Sequence, residues 1–270
     1  MTAPGADLAT IRATGHAALD AARAVLRGAF RTAMEVSNKA AAGAAFDPVT
    51  AADRAAEQAI RAVLRARTPG IGIFGEEQGH EAPRLAGDRR LWVIDPIDGT
   101  RSFMTGFPTW GTLLGLRDGD VMRWGALDQP LLAERFEGDG TVARLGDRRL
   151  RARPTQRLDE AVLYATTPDM FGPDERPAFE ALSRRVRLRR FGGDCYAYAM
   201  LAMGFVDLVV EAGLAPYDIA PLVPILEGAG AVVTTWDGGP ALDGGRILAA
   251  ATAPLHAAAR EILAAALPTA

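Results

Sequence analysis

The sequence predicts a layered α/β fold. Segments with the apolar spacing of helices alternate with short apolar runs typical of strands along most of the 270 residues. This alternation favours helices packed against β-sheets. The length and the 49% share of hydrophobic residues allow a sizeable buried core. We expect one compact unit in two halves, an N-terminal α+β half at residues 1–153 and a C-terminal α/β half at 154–270.

The N-terminal half begins with two predicted helices. The first covers residues 7–36, which are rich in alanine and carry apolar residues at helical spacing. The second begins at Thr50 to Asp53, which have the pattern of a capping box. The predicted strands follow at 71–74, at 91–94, in a hairpin within 110–127 that turns at Asp118-Gly119, and through 134–153.

The C-terminal half continues the alternation. Its predicted strands are 161–166, 186–190, 205–210, 231–236 and 246–251. Its predicted helices are 173–185, 195–203, one that begins near Asp218, and 254–266. Strands separated by helices in this way favour sheets covered by helical layers.

Charge and composition exclude several classes of protein. The formal net charge is -3, so broad attraction to nucleic acid or to an anionic membrane is not expected. No apolar stretch is long enough to span a bilayer, and the N-terminus lacks the apolar core of a signal peptide. The single cysteine, Cys195, cannot form an intrachain disulfide. We therefore expect a cytoplasmic protein whose partner is neither a membrane nor nucleic acid.

Five acids stand at the ends of predicted elements. Asp53 and Asp218 lie at helix starts, Glu76 follows one strand, and Asp95 and Asp98 follow another. Ligands of open α/β sheets gather at the carboxyl ends of strands, so these acids can converge. Converging carboxylates repel one another unless a cation neutralises them. Oxygen ligands without histidine or cysteine suit Mg²⁺.

The hexapeptide that begins at Asp95 can serve both a metal and a phosphate. A tight turn can return Asp98 to the side of Asp95, with the carbonyl of Ile97 between them as a further oxygen ligand. Gly99 allows the chain to approach a ligand closely. A helix starting near Thr100 would point free N–H groups at a phosphate, and the hydroxyl of Thr100 could orient a water molecule.

Each of these features also has a purely structural interpretation. Asp53 can be part of the capping box, and Glu76 can belong to a solvated loop. The segment from Asp95 to Gly99 has the residues of an ordinary turn, and Asp218 can be a helix N-cap. The combination of all four features in one chain favours the metal site.

Four segments, in order, resemble the inositol monophosphatase superfamily of Mg²⁺-dependent phosphatases. They are VTAAD at 49–53, GEE at 75–77, DPIDGT at 95–100 and YDIA at 217–220. The resemblance implies an αβαβα sandwich and a phosphoric monoester hydrolase that attacks with a metal-activated water. Haloacid-dehalogenase-type phosphatases have a similar string, but their acids are two residues apart and near the N-terminus. The three-residue spacing here argues against an aspartyl-phosphate mechanism.

The resemblance also implies roles for single residues. Two or three Mg²⁺ ions would be bound by the ligand set Glu76, Asp95, Ile97 through its carbonyl, Asp98 and Asp218. Asp53, Glu76 and Thr100 would be the catalytic residues that position the attacking water. Gly99 and Thr100 would bind the phosphate. Lys39 resembles a lysine that the family places before its first acid.

The substrate is predicted from a different segment. Residues 192–198, GGDCYAY, resemble the bacterial histidinol-phosphate phosphatase branch, whereas inositol phosphatases usually have Gly-Ser/Thr-Ala at Gly193-Asp194-Cys195. Asp194 would add an anion beside the leaving group, and Glu211 would add a second contact to an ammonium or imidazole. Gly193, Asp194 and Glu211 are thus the predicted substrate contacts. Asp194 can equally be the N-cap of the following helix.

The sequence therefore predicts a Mg²⁺-dependent phosphatase acting on L-histidinol phosphate, a small phosphorylated metabolite of histidine biosynthesis. An inositol-1-monophosphatase or related sugar or nucleotide phosphatase is the alternative within the same class. A non-catalytic regulatory interaction protein on the same fold is the alternative of another class. The resemblance also suggests a homodimer.

Overall fold

The first layer consists of two long helices, α1 (Leu8–Ala29) and α2 (Ala51–Arg67). The computed structural model describes residues 7–33, 36–38, 48–84 and 86–267, so Lys39 lies outside the described residues. Asp7 caps α1 by accepting a hydrogen bond from the backbone N–H of Thr10 at 2.7 Å. The helix ends seven residues earlier than predicted, because Phe30 turns to an extended conformation. Its ring packs 5.4 Å from the ring of Trp110, so tertiary packing ends the helix.

The second layer is an eight-stranded sheet in the order β10-β9-β8-β7-β6-β5-β3-β4. A separate two-stranded sheet pairs β1 with β2. The strands are β1 (Val36–Asn38), β2 (Pro48–Thr50), β3 (Gly72–Gly75), β4 (Gly79–Glu81), β5 (Arg90–Asp98), β6 (Gly111–Asp118), β7 (Val121–Gln129), β8 (Glu134–Gly138), β9 (Ala143–Leu145) and β10 (Arg148–Arg149). Only the β3–β5 pair of the large sheet is parallel, within the part of the chain that is described. The predicted hairpin of β6 and β7 is present, and its turn is at Gly119 and Asp120, one residue later than predicted.

One strand is longer than predicted. β5 does not end at Ile94 but continues through Asp95 to Asp98, with a break in its register against β6. The helix α3 (Thr100–Thr105) follows directly. The predicted tight turn is thus an irregular end of a central strand, which keeps both acids under the constraint of sheet hydrogen bonds.

The fourth layer is a five-stranded sheet in the order β12-β11-β13-β15-β14. Its strands are β11 (Val162–Ala165), β12 (Leu188–Phe191), β13 (Leu208–Leu214), β14 (Val232–Thr235) and β15 (Gly245–Ala250). β11 is parallel to both of its neighbours, while β15 is antiparallel to β13 and β14. The strand β13 passes beyond Glu211, where the sequence predicts its end.

Helices separate the two sheets and cover the outer face of the second. Between the sheets lie α5 (Asp194–Ala202), α6 (Pro216–Ile219) and α7 (Val223–Gly228), and the outer layer contains α4 (Arg176–Ser183) and α8 (Ala253–Ala266). Three separate cores fill the spaces between the five layers. Leu113 and Leu114, adjacent on β6, belong to different cores because side chains alternate along a strand. The fold is therefore the expected αβαβα sandwich.

The central core joins both parts of the chain. It contains Leu113 and Leu127 of the first sheet together with Val209 and Ile247 of the second. The boundary between residues 153 and 154 stays a prediction. None of the helices in the described ranges is long and apolar enough to cross a membrane.

Candidate active site

Three acids meet in a cavity at the carboxyl end of β5. One carboxylate oxygen from each of Asp95, Asp98 and Asp218 lies within 4.8 Å of the other two. Over the residues that the structure describes, this is the one cluster of metal-binding side chains of that kind. The cavity has a volume of about 230 Å³, and Glu76 and Ile97 also line it. The structure thus brings together all five members of the predicted ligand set.

A bulge in β5 explains how acids three residues apart reach the same cavity. Asp95 pairs with Leu113 of β6 and Asp98 pairs with Gly111, so two residues of β5 stand opposite one of β6. In a regular strand, residues three apart face opposite sides of the sheet, and the extra residue of a bulge cancels that alternation. The buried carbonyl of Pro96, within the bulge, accepts a hydrogen bond from the Thr112 hydroxyl at 2.9 Å.

Glu76 reaches the cavity from the neighbouring strand. Gly75 at the end of β3 pairs in parallel with Ile94 of β5, and the backbone N–H of Glu76 donates to the Ile94 carbonyl at 3.2 Å. Parallel strands end on the same edge of a sheet, so Glu76 emerges beside Asp95. The charge of Glu76 is one of the causes that raise the pKa of Asp95.

The clustered carboxyl groups destabilise one another's charge. The pKa of Asp95 is raised well above its usual value, first by burial and then by Glu76, Asp98 and Asp218. The pKa of Asp98 is also raised by burial and by the charge of Asp218, although the N–H of Cys195 opposes this with a 2.7 Å hydrogen bond. Buried carboxylate ligands that all carry negative charge, with no histidine or cysteine thiolate among them, suit a hard cation such as Mg²⁺.

Gly99 is required at the turn from β5 into α3. Its φ is +87°, in the region that favours glycine. A Cβ atom on Gly99 would lie 2.9 Å from both Cβ and Cγ of Asp194, which is too close for any side chain. The first turn of α3 therefore packs directly on Asp194, and the start of α3 faces the cavity through Thr100.

Asp53 lies behind Thr100. One carboxylate oxygen of Asp53 accepts hydrogen bonds from the backbone N–H of Thr50 at 2.8 Å and from its hydroxyl at 2.5 Å. The other oxygen lies 3.4 Å from the hydroxyl oxygen of Thr100, which is also 3.0 Å from the Ile97 carbonyl oxygen. The capping-box interpretation of Asp53 is confirmed. It leaves the second oxygen directed at Thr100, so capping and a site role are compatible.

Asp218 is not the N-cap of its helix. The helix α6 begins at Pro216, and Asp218 is its third residue. Its carboxylate accepts a hydrogen bond at 2.7 Å from the backbone N–H of Ala215, one of the N–H groups that the helix itself cannot satisfy. This bond holds the Asp218 carboxylate at the cavity wall beside Asp95 and Asp98.

The N-cap interpretation of Asp194 is wrong. The N-cap of α5 is Gly193, and Asp194 is the first helical residue with the unusual φ of +44°. Its carboxylate accepts hydrogen bonds from the hydroxyls of Ser102 and Thr109 and lines the cavity. Gly193 is not among the lining residues, and a Cβ there would lie 2.7 Å from Cβ of Ala197.

Glu211 forms the wall beside Asp194. It is 2% exposed, and its two oxygens accept hydrogen bonds from the backbone N–H of Thr166 at 2.8 Å and from the Tyr198 hydroxyl at 2.9 Å. Burial raises the pKa of Glu211, and the charge of Asp194 adds to the increase. Two acids, Asp194 and Glu211, thus line the same cavity as the cluster of Asp95, Asp98 and Asp218.

Sequence reasoning missed the residue that holds the Glu76 loop. The buried carboxylate of Glu57, one helical turn after Asp53, accepts hydrogen bonds from the backbone N–H groups of Glu77 at 2.8 Å and Gln78 at 3.1 Å. Arg61 donates to the same carboxylate at 2.7 Å. An acid and a base four residues apart on the apolar side of a helix are the signal that could have indicated it.

Replacing this anchor should weaken metal binding. Glu57→Gln loses the charge that holds the loop, so we expect the Mg²⁺ concentration for half-maximal phosphatase activity to rise by about tenfold or more. Mg²⁺ titration of initial rates would measure it. Glu137→Gln is a matched control, because Glu137 is also a buried glutamate bound by an arginine, Arg12. It should lower stability and leave Mg²⁺ dependence unchanged. An unaltered Mg²⁺ titration for Glu57→Gln would contradict the anchoring role.

Comparison with known proteins agrees with this geometry. A model of the inositol monophosphatase family matches residues 7–268. This chain belongs to the inositol monophosphatase family. A solved structure of an inositol monophosphatase from Zymomonas mobilis superposes with a TM-score of 0.82 at 37% sequence identity, covering 93% of this chain and 96% of that one.

Two further relatives are phosphatases with other names. Bifunctional phosphatase IMPL2, chloroplastic, from Arabidopsis thaliana is 40% identical over 233 residues, which are 86% of this chain and 66% of that protein. A histidinol-phosphatase from Chlorobaculum parvum is 34% identical over 185 residues, 68% of this chain and 70% of that protein. The chain is thus a phosphatase of a family whose members act on small phosphorylated substrates. Because the relatives carry different substrate names, family membership alone does not assign the substrate.

Proposed function

We propose that this phosphatase hydrolyses L-histidinol phosphate to L-histidinol and phosphate with Mg²⁺. The observation that carries the proposal is the pair of buried acids, Asp194 and Glu211, beside the metal-type cluster. No ion pair within the described ranges involves either of them. Arg101 lines the same cavity and lowers the pKa of Asp194 by its charge, but burial raises that pKa more. Two buried anions favour a cationic leaving group over a neutral polyol.

The donor set that would hold Mg²⁺ is Glu76, Asp95, the Ile97 carbonyl, Asp98 and Asp218. Bound Mg²⁺ lowers the pKa of a coordinated water and neutralises charge that develops on the phosphate and the leaving oxygen. The cluster has enough carboxylates for more than one ion, in keeping with the predicted two or three. The pKa values of the buried Asp95 and Asp98 carboxyl groups are both raised by burial and by the charge of Asp218. This supports the assignment, because a bound cation removes the repulsion among the carboxylates.

The residues beside this set would orient the reacting groups. The Thr100 hydroxyl lies between Asp53 and the Ile97 carbonyl, so its proton is directed to one of these acceptors and its lone pairs remain for a water. The first N–H groups of α3 have no acceptor within the helix and would bind the phosphate beside Gly99. Asp53 and Glu76 complete the set that positions the attacking water. The ester is then cleaved by direct attack, with no covalent enzyme intermediate.

The leaving group would lie against the second pair of acids. An amino-alcohol ester carries an ammonium group near the phosphate, and Asp194 is in contact with the residue that begins the phosphate side, Gly99. Glu211 lies beside Asp194 and would accept a hydrogen bond from the ammonium or from the imidazole. A polyol phosphate would place neutral hydroxyls against the same two carboxylates.

An inositol-1-monophosphatase or related sugar phosphatase is the second candidate, supported by the structural likeness to the Zymomonas enzyme. A phosphatase panel with Mg²⁺, containing histidinol phosphate, inositol phosphate, fructose bisphosphate and adenosine bisphosphate, separates the two. We expect the highest kcat/KM with histidinol phosphate. A strong preference for inositol phosphate would reject the first candidate, and no turnover of any ester would favour a non-catalytic interaction protein. The homodimer stays a prediction.

Asp194→Asn tests the substrate assignment directly. The variant keeps the shape of the side chain and removes its charge, so we expect KM for histidinol phosphate to rise by about tenfold or more. Turnover of inositol phosphate should change little. Asp169→Asn is the control, since Asp169 is an exposed acid next to Met170 at the cavity. If the ratio of kcat/KM for histidinol phosphate to kcat/KM for inositol phosphate is unchanged in Asp194→Asn, the proposed role of Asp194 is refuted.

A further inference from the structure

Two hydroxyl groups hold the carboxylate of Asp194. The Ser102 hydroxyl donates to Oδ2 of Asp194 at 2.6 Å, and the Thr109 hydroxyl donates to the same oxygen at 2.8 Å. The two hydroxyl oxygens are 3.0 Å apart. No hydrogen bond between described residues ends on Oδ1 of Asp194. One carboxylate oxygen is therefore held by the protein, and the other is available to a ligand in the cavity.

The backbone of Asp194 is strained as well. Its φ of +44° is unfavourable for a residue with a side chain, and such positions are maintained by the contacts around them. Gly99 packs against Cβ and Cγ of Asp194, and the two hydroxyls hold the far end of the carboxylate. The side chain is thus constrained at both ends by the segment that runs from the phosphate loop to β6.

This segment also links the two subsites of the substrate. Ser102 is on α3, whose first residue is Thr100, and Thr109 stands two residues before β6. A phosphate at the start of α3 and a cation at Asp194 would therefore be held a constant distance apart by one short helix. Sequence alone does not indicate this link, because Ser102 and Asp194 are 92 residues apart.

We propose that Ser102 and Thr109 are positioning residues that set the preference of this enzyme for cationic amino-alcohol phosphates. The inference rests on the proposed function. A hydroxyl beside a carboxylate donates a hydrogen bond to it. The two hydroxyls therefore favour the ionised form of Asp194 and fix the position of Oδ2. Oδ1 is then directed at the ammonium group of the ester. Without the hydroxyls, Asp194 would keep its place in α5 but lose its orientation.

The test uses Ser102→Ala, Thr109→Val and the double variant with histidinol phosphate and inositol phosphate. In the double variant we expect KM for histidinol phosphate to rise about tenfold, with kcat and the turnover of inositol phosphate each within about twofold. Ser102→Thr and Thr109→Ser retain the hydroxyls and should retain the preference. Thr105→Val is the matched control, because the Thr105 hydroxyl on the same helix donates to the backbone carbonyls of Arg101 and Ser102 and, among the described residues, not to Asp194.

The outcomes separate this inference from the proposed function. If the wild type does not prefer histidinol phosphate, the proposed function fails, and the inference fails with it. If the wild type prefers histidinol phosphate and the double variant keeps the same ratio of kcat/KM for the two substrates, the inference alone is overturned. Equal losses with both substrates would show a general structural role and would also overturn it. If the double variant does not fold, loss of preference in the hydroxyl-retaining variants overturns the inference.

Discussion

Asp95→Asn should abolish Mg²⁺-dependent phosphatase activity while making the metal-free protein more stable. Loss of one charged ligand removes several kcal/mol of transition-state stabilisation, so we expect kcat/KM to fall by about a thousandfold or more. Stability should change in the opposite direction. The neutral amide removes a buried charge that Glu76, Asp98 and Asp218 repel. We expect the melting temperature without metal to rise by several degrees.

This pair of opposite effects distinguishes a functional carboxylate from a structural one, and the Mg²⁺ dependence assigns it to a metal site. Replacing a carboxylate that only supports the fold would lower the activity and the stability of the protein together. Asp120→Asn is the control, because Asp120 is a largely exposed acid in the turn between β6 and β7 and should affect neither quantity. Steady-state rates at several Mg²⁺ concentrations and thermal melts in chelator would measure both effects. Unchanged activity and Mg²⁺ dependence in Asp95→Asn would show that the metal assignment is wrong.

The second large effect is stabilisation by Mg²⁺ that grows with pH. The pKa values of Asp95 and Asp98 are raised in the folded protein. Their protonated forms therefore favour folding below the unfolded-state pKa of about 3.9, and that contribution is lost as pH rises through the folded-state pKa. Because of this cluster, the metal-free protein should thus be less stable at pH 8 than at pH 5. Bound Mg²⁺ offsets the penalty because it favours the ionised forms.

Thermal melts at pH 5 and pH 8, with chelator or with saturating Mg²⁺, would measure the effect. At about 100 times its dissociation constant, Mg²⁺ should stabilise by about 2.7 kcal/mol, or roughly 5–10 °C, at pH 8. At the same Mg²⁺ concentration, the increase in stability should be smaller at pH 5. Buried His256, whose pKa is lowered by burial, also makes the stability depend on pH, so the comparison is made against Asp95→Asn, in which that contribution is shared. An equal Mg²⁺ effect at both pH values would contradict the electrostatic account.

Much of the fold is predictable because it follows from local patterns. The alternation of apolar runs and helical stripes predicts the layers, and the Asp118-Gly119 turn predicts the β6–β7 hairpin. The errors lie where tertiary contacts override a local pattern. α1 ends early because Phe30 packs against the aromatic rings of Phe103 and Trp110. β5 continues past Ile94 because β6 offers hydrogen-bond partners as far as Gly111.

The acids of the site are predictable for a different reason. A hard cation needs several oxygen ligands, and acids at the ends of strands and helices are visible in the sequence as Asp53, Glu76, Asp95, Asp98 and Asp218. The second set of groups is not visible in this way. Glu57 and Ser102 are ordinary polar residues in helices, and their roles depend on which loop or carboxylate packs against them.

The proposed ligand set, the family and the reaction class can all be inferred from the sequence, since they depend on short motifs. Three features were decided by the tertiary structure alone. A bulge turns Asp95 and Asp98 to the same side, Glu57 anchors the Glu76 loop, and two hydroxyls hold Asp194 in a strained conformation. Each depends on backbone register or on contacts between distant segments, which packing of the layers creates and a local pattern does not encode.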